Sequence, residues 1–223
     1  RLFGTDAPPP PAEPATAAAN TTDSLPGSLR TLANTPHSYH LADTADKQAG
    51  LFAALQQQSR FCFDIETTGL DRFACDLLGV AFCWKKGDAW YLPFSDSVLP
   101  ALRAALSGPA TKIGHNLKFD LSVLHRIGIP VAGPFIDTML VHALVAPDQR
   151  HGMDHVAESL LHYSPVKLKD LAADSPQPDQ DDQDDLFAHA GRIKAAKELD
   201  MRSIPLQALA EYAAEDADIT FQP

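Results

Sequence analysis

The chain has 223 residues, of which 45% are hydrophobic, and a formal net charge of −11. This length and composition fit one sizeable domain with an ordinary core. The chain lacks an apolar run of roughly 18 residues, the minimum for a membrane-spanning helix, so no membrane contact is expected. The acidic balance excludes a broadly basic clamp around nucleic acid.

Residues 1–37 are rich in proline and alanine and hold seven of the 18 prolines. Such a segment buries too little apolar surface to offset its ordering entropy, so we expect a disordered linker. Residues 38–223 form the predicted domain. Within it, residues 172–185 predict a mobile loop because they carry six aspartates: Asp174, Asp179, Asp181, Asp182, Asp184 and Asp185.

Hydrophobic periodicity and turn residues divide this domain into strands and helices. Predicted strands cover residues 60–66, 77–84, 89–92, 111–115 and 135–136, with a hairpin turn at 85–88. Predicted helices cover residues 45–58, 96–106, 117–127, 137–145, 153–162 and 205–221, with further helical residues up to 200. Early strands in hairpin order, followed by alternating strands and helices, predict an α/β fold with a mixed five-stranded sheet flanked by helices.

The three cysteines, Cys62, Cys75 and Cys83, lie in or near apolar stretches and lack the spacing of a zinc site. We expect buried free thiols in a reducing cytoplasm.

Asp64 and Glu66 end the first predicted strand, in the sequence FCFDIETTGL. Residues two apart in a strand point to the same face, so both carboxylates aim at one point. Like charges this close repel unless a cation neutralises them, and oxygen ligands suit Mg²⁺ or Mn²⁺. The pair therefore indicates a metal site, although an isolated Asp-x-Glu also occurs by chance.

Asn116 and Asp120 lie four residues apart on the helix that follows the strand at 111–115, in NLKFD. Asn116 is placed to cap that helix. Taken alone, the segment also fits a helix cap followed by a solvated aspartate.

Tyr212 and Asp216 are again four residues apart on one helix face, in YAAEDAD. Small alanines beside them permit close approach. Glu215 and Asp218 point elsewhere, and we expect them to be solvated or capping. Alone, the segment also fits an acidic surface helix.

Together, FDIET, NLKFD, FIDTML and YAAEDAD resemble the motifs of the DEDD superfamily of 3′→5′ exonucleases in its tyrosine branch. The amino-acid sequences of these motifs are similar to those of the proofreading domain of bacterial family A DNA polymerases. The resemblance runs from residue 61 to the end of the chain. It implies an RNase H-like fold and two divalent ions, Mg²⁺ with Mn²⁺ as a substitute.

By this resemblance, Asp64, Glu66 and Asp216 hold the first ion. Asp64 bridges to a second ion, which Asp120 reaches directly or through water. Tyr212 orients the attacking water with help from Glu66, since a phenol with an ordinary pKa is a poor base at neutral pH.

The resemblance also implies substrate contacts by Thr67, Leu70, Asn116, Arg150 and Leu168. Leu70 matches an apolar wedge against the terminal bases. Leu168 stands where the family has an aromatic residue, so stacking would be weaker there; it also fits a core position. Arg150 matches a basic residue near the phosphates, or is an ordinary charge at a helix entry.

We therefore expect a proofreading 3′→5′ exonuclease that converts single-stranded DNA 3′ ends to nucleoside 5′-monophosphates. The alternatives are an RNA-processing exonuclease of the RNase D type and a catalytically silent structural domain. The resemblance implies a polymerase domain after this chain and a 5′-nuclease domain before it. It also implies a monomer in the bacterial cytoplasm, associated with the nucleoid.

Overall fold

The computed structural model describes residues 28–171 and 201–223, in which six strands form one mixed sheet. The strands are β1 Ser38–Leu41, β2 Arg60–Thr67, β3 Leu77–Lys85, β4 Asp88–Pro93, β5 Thr111–Gly114 and β6 Phe135–Asp137. The helices are α1 Ala45–Leu55, α2 Leu99–Ser107, α3 Leu117–Arg126, α4 Thr138–Val145, α5 Met153–Val156 and α6 Leu206–Phe221.

The order across the sheet is β1-β4-β3-β2-β5-β6. β2, β3 and β4 are antiparallel neighbours, whereas β1 runs parallel to β4 and both β5 and β6 continue parallel to β2. The C-terminal ends of β2, β5 and β6 therefore meet at one edge of the sheet.

The alternation of residues along β2 separates the core from the site. Phe61, Phe63 and Ile65 face a cluster formed with α1, α2 and α3. Cys62 faces the opposite cluster, where the alanines of α6 pack against β3 and β4. Asp64 and Glu66 share this second face because they alternate in phase with Cys62.

The five predicted strands are confirmed within one or two residues, but the predicted strand number is wrong. β1 adds a sixth strand beside β4. Its four residues, SYHL, are only half-buried or exposed. Their sequence therefore shows no clear alternation of apolar and polar residues, the pattern by which a strand is predicted. The helix predicted over 153–162 also ends early, because a π-helical turn, Ala157–Leu161, follows α5.

Part of the predicted linker contacts the domain. The backbone of Arg30 pairs with that of Tyr163, and the Arg30 guanidinium donates to the carbonyl of Leu161 at 2.7 Å. Residues 28–37 therefore lie against the domain. Residues 1–27 and the predicted loop 172–185 lie outside the described residues, as does the helix expected up to 200.

All three cysteines are buried and free, as predicted. None of the helices in the described ranges is long and apolar enough to cross a membrane.

Candidate active site

Three carboxylates converge where β2 approaches α6. Asp64, Glu66 and Asp216 each place one carboxylate oxygen within 4.8 Å of the others. Asp64 and Glu66 come from alternate positions of β2, and Asp216 comes from α6, which packs against the same sheet face. The structure thus brings these three of the predicted site residues together.

Small side chains permit this approach of α6 to the sheet. Ala210, Ala213, Ala214 and Ala217 are buried between α6 and the strands. Their methyl groups let the helix backbone come close enough for Asp216 to reach the β2 carboxylates.

Tyr212 lies one helical turn before Asp216, and the two side chains are close enough for each to shift the pKa of the other. Burial, followed by the negative charges of Asp216 and Glu66, raises the pKa of Tyr212 above its usual value. The phenol therefore stays protonated at neutral pH and acts as a hydrogen-bond donor.

Asp120 reaches the same region from α3. Its Oδ1 accepts a hydrogen bond of 3.3 Å from the backbone N–H of Ile65, the residue between Asp64 and Glu66. Asp120 lies outside the three-carboxylate group but is close enough for Asp64 to raise its pKa. This position agrees with a separate role for Asp120 from that of the other three.

Three of the four carboxylates are buried away from water, whereas Asp64 is half-buried. Glu66, Asp120 and Asp216 are buried, and burial is the main reason why the pKa of each lies well above its ordinary value. Desolvation raises the pKa of Asp64 to about 7. The charge of Asp64 then raises the pKa of Glu66, Asp120 and Asp216 further by like-charge repulsion.

This donor set fits a hard divalent cation. Its close donors are carboxylate oxygens, which Mg²⁺ and Mn²⁺ prefer, and a bound cation would offset both repulsion and desolvation. Asp64, Glu66 and Asp216 would hold one ion. The described residues identify no particular metal.

Asp137, rather than Asn116, caps the helix that carries Asp120. Asn116 has a left-handed backbone (φ 61°) and makes no side-chain cap, so the capping role predicted for it is wrong. Asp137 accepts from the backbone N–H of Asn116 at 3.1 Å and of Leu117 at 2.9 Å. The same carboxylate caps α4 through the N–H of Met139.

Glu215 and Asp218 are buried, contrary to the prediction that they are solvated or capping. Glu215 accepts from the Tyr163 hydroxyl at 2.5 Å and from the backbone N–H of Val166 at 3.0 Å. Asp218 accepts from the Tyr39 hydroxyl and the Gly87 N–H, both at 2.9 Å. These two carboxylates fix α6 to the neighbouring elements. Because Tyr212 and Asp216 also lie on α6, the same contacts hold these two residues in place.

The residues predicted to contact substrate differ in their exposure and contacts. Leu70, in the loop after β2, is 81% exposed. Asn116 and Arg150 are also exposed. Thr67 is buried, and its hydroxyl donates to the carbonyl of Gly69 at 2.9 Å. Leu168 is partly buried and packs against the cluster beneath α6, which favours its core interpretation.

Phe73 is a candidate that the sequence analysis missed. It is 73% exposed in the same loop as Leu70, and the Arg72 guanidinium lies 4.6 Å from its ring centroid. Arg126 fixes this loop by donating to the carbonyls of Arg72 and Cys75. A phenylalanine in the short loop directly after the β2 motif was the available signal.

The model of a family described as "3′-5′ exonuclease" matches residues 39–222. DNA polymerase I of Pseudomonas aeruginosa is 32% identical over 199 residues, which cover 81% of this chain and 20% of that protein. DNA polymerase I of Borreliella burgdorferi is 24% identical, covering 91% of this chain and 21% of that protein. The chain thus spans about a fifth of the length of these relatives.

Solved structures share the fold. NrnC of Brucella melitensis with bound Mg²⁺ has a TM-score of 0.56 at 23% identity, over 83% of this chain and 77% of that one. RNase D of Escherichia coli, an exoribonuclease involved in structured RNA processing, has a TM-score of 0.56 at 19% identity. It matches over 82% of this chain and 42% of that one. These structures support the predicted RNase H-like α/β class.

Proposed function

This chain belongs to the 3′–5′ exonuclease family, and we propose that it hydrolyses single-stranded DNA from the 3′ end to nucleoside 5′-monophosphates as the proofreading domain of a DNA polymerase I. One observation carries the proposal. Asp64, Glu66 and Asp216 place carboxylate oxygens within 4.8 Å of one another, with Tyr212 one helical turn from Asp216.

In this proposal the four carboxylates divide into two groups. Asp64, Glu66 and Asp216 hold one cation, and Asp120 serves a second cation that Asp64 shares. Two such ions, when bound, would stabilise the attacking and leaving oxygens of an in-line displacement at phosphorus. The separation of Asp120 from the three-carboxylate group supports this division.

Tyr212 orients the attacking water, and Glu66 assists. A phenol whose pKa is raised by burial keeps its proton and can donate a hydrogen bond, but it is a poor general base. Its position one helical turn before Asp216 places the phenol beside the three carboxylates, which favours an orienting role.

Around this centre, exposed side chains supply contacts for a single strand. Leu70 and Phe73 offer apolar surfaces for stacking against bases, which suits binding without sequence preference because every base has a π-face. Asn116 and Arg150 lie exposed where they could contact the sugar-phosphate backbone, and Thr67 supports the loop of Leu70. Leu168 contributes mainly packing beneath α6.

We also propose that a polymerase domain and a 5′-nuclease domain accompany this domain in a cytoplasmic, monomeric protein that works on the nucleoid. The relatives named DNA polymerase I are about five times as long as the matched region. An acidic chain of charge −11 would gain DNA affinity from such a neighbour. In this arrangement residues 38–223 remain the predicted domain and residues 1–37 the predicted linker, whose last part, residues 28–37, lies against the domain.

Matched DNA and RNA oligonucleotides of one sequence, each labelled at the 5′ end, test the proposal. We expect stepwise shortening of DNA from the 3′ end in Mg²⁺ or Mn²⁺, with nucleoside 5′-monophosphates as products. Faster shortening of RNA would favour the RNase D-type alternative. No shortening of either strand by folded protein would favour a structural domain.

A further inference from the structure

Tyr91 is a buried phenol at the site to which neither the motifs nor the mechanism assigns a role. It lies on β4 and is 0% exposed. Its hydroxyl has no hydrogen-bond partner among the residues that the structure describes. A buried hydroxyl without a partner costs free energy, so its presence at a site of chemistry calls for a reason.

The sheet register shows where this hydroxyl lies. Gly79 on β3 stands directly opposite Glu66 on β2. A Cβ atom at Gly79 would come within 2.3 Å of both Cζ and Oη of Tyr91. The Tyr91 hydroxyl thus occupies the place of the side chain that would face Glu66 across the strands, where opposed Cβ atoms are about 5 Å apart.

The residues paired across β2, β3 and β4 next to Glu66 and Gly79 also place Tyr91 beside Glu66. Asp64 lies opposite Ala81, and Ala81 lies opposite Tyr91, so all three share one face. The Tyr91 ring leans from this row over Gly79 toward Glu66. Its phenol can reach Glu66 only because residues 79 and 81 are glycine and alanine.

The two groups are also within electrostatic reach of each other. Burial is the largest cause that raises the pKa of Tyr91, and the charge of Glu66 is the second. The Tyr91 hydroxyl therefore keeps its proton. An ionised carboxylate in a dry site needs donors for the oxygen lone pairs that a cation leaves free. Tyr91 is a donor without another use among the described residues.

We propose that Tyr91 is a positioning residue: when a divalent cation is bound, the Tyr91 hydroxyl donates a hydrogen bond to the Glu66 carboxylate and fixes the direction in which Glu66 faces that cation. The inference rests on the proposed function for its consequence in catalysis. Its effect on cation binding can be measured without any nuclease assay.

Tyr91→Phe tests this role, because it removes only the hydroxyl. We expect the metal-free variant to unfold at the same temperature as the wild type or higher, since no partner is lost. Calorimetric titration with Mn²⁺ should show binding weakened by about tenfold, the loss expected for one hydrogen bond to a charged group. The kcat on a DNA oligonucleotide should fall similarly, with KM for DNA unchanged.

Tyr163→Phe is the matched control, because Tyr163 is also a buried phenol but donates to Glu215 instead. This variant should unfold at a lower temperature and keep wild-type Mn²⁺ affinity. If Tyr91→Phe keeps wild-type Mn²⁺ affinity, or loses metal-free stability as Tyr163→Phe does, the positioning role is overturned.

The two proposals fail in different ways. Wild-type protein that binds Mn²⁺ but releases no mononucleotides overturns the proposed nuclease function, while the Mn²⁺ comparison still decides the role of Tyr91. Wild-type protein that releases mononucleotides no faster than Tyr91→Phe leaves the nuclease function in place and removes Tyr91 from it. Wild-type protein that binds no Mn²⁺ overturns both.

Discussion

Asp120 accepts a hydrogen bond from the backbone N–H of Ile65, the residue between the two carboxylates of β2, at 3.3 Å. The contact ties the start of α3 to the end of β2 across 55 positions of sequence. Asp120 therefore has two roles to separate: holding the strand that carries Asp64 and Glu66, and offering a carboxylate to a cation.

Asp120→Asn and Asp120→Ala should separate these roles. Both remove the charge, and we expect activity to fall by roughly 10²-fold or more in each, because charge stabilisation of several kcal/mol is lost. Asparagine keeps an oxygen that can accept from Ile65, whereas alanine leaves that buried N–H unpaired. Denaturant unfolding should therefore find the alanine variant less stable by about 1–3 kcal/mol. Equal stability of the two variants would show that the Ile65 contact contributes nothing.

Tyr212→Phe should slow cleavage by about 10²-fold, the size of effect expected when a reacting group is no longer held in place. Mn²⁺ affinity should stay close to that of the wild type, because the phenol orients rather than ligates. Single-turnover cleavage and calorimetric titration measure the two effects. A large loss of Mn²⁺ affinity would contradict the orienting role.

Phe73→Ala should raise KM for single-stranded DNA by about 5- to 150-fold, since stacking on one aromatic ring contributes roughly 1–3 kcal/mol per base. Stability should hardly change because the ring is exposed. Leu144→Ala, which removes an equally exposed side chain from α4, is the control and should leave KM unchanged. An unchanged KM in Phe73→Ala would remove this residue from the substrate path.

Metal-free stability should fall as the pH rises. Burial raises the pKa of Asp64 in the folded protein to about 7, against about 3.9 when unfolded. The folded state therefore binds more protons between these values, and ionising Asp64 costs stability as the pH rises through the window. Thermal unfolding in EDTA between pH 5 and 8 should show this decline.

Asp64→Asn is the control for that pH series. It removes the titrating carboxyl group but keeps its shape, so its decline across the window should be shallower than that of the wild type. The comparison also removes the effect of His115. Burial lowers the pKa of His115, so its titration makes the folded protein more stable as the pH rises, in both proteins alike. Equal slopes for the two proteins would contradict the raised pKa of Asp64.

The sequence predicts the carboxylates of the candidate site because their spacing is local. Asp64 and Glu66 share a face through the two-residue period of a strand, and Tyr212 and Asp216 share one through the four-residue period of a helix. Local periodicity also predicts the strands from residue 60 onward. These features need no knowledge of what packs against them.

Features that depend on partners far away in the sequence cannot be predicted from local patterns. Asp218 is buried because Tyr39, 179 positions away, donates to it. Asp137 displaces Asn116 as the cap of α3 because β6 places it beside that helix. β1 becomes a strand because β4 offers it an edge, not because its own residues alternate.

Tyr91 falls between these two cases. The predicted hairpin turn between β3 and β4 fixes their register, so the sequence could have placed Tyr91 on the face of Asp64. Its lean over Gly79 toward Glu66 follows only from the packed structure.

The most direct measurement is the release of nucleoside 5′-monophosphates from a single-stranded DNA 3′ end in Mg²⁺ or Mn²⁺. Wild type, wild type with EDTA, Asp64→Asn and Asp216→Asn would be compared at equal concentrations of folded protein. We predict stepwise release by the wild type alone, with both variants folded and at least as stable as the wild type without metal. Release that survives EDTA, or that either variant retains at the wild-type rate, would contradict an exonuclease centred on these carboxylates.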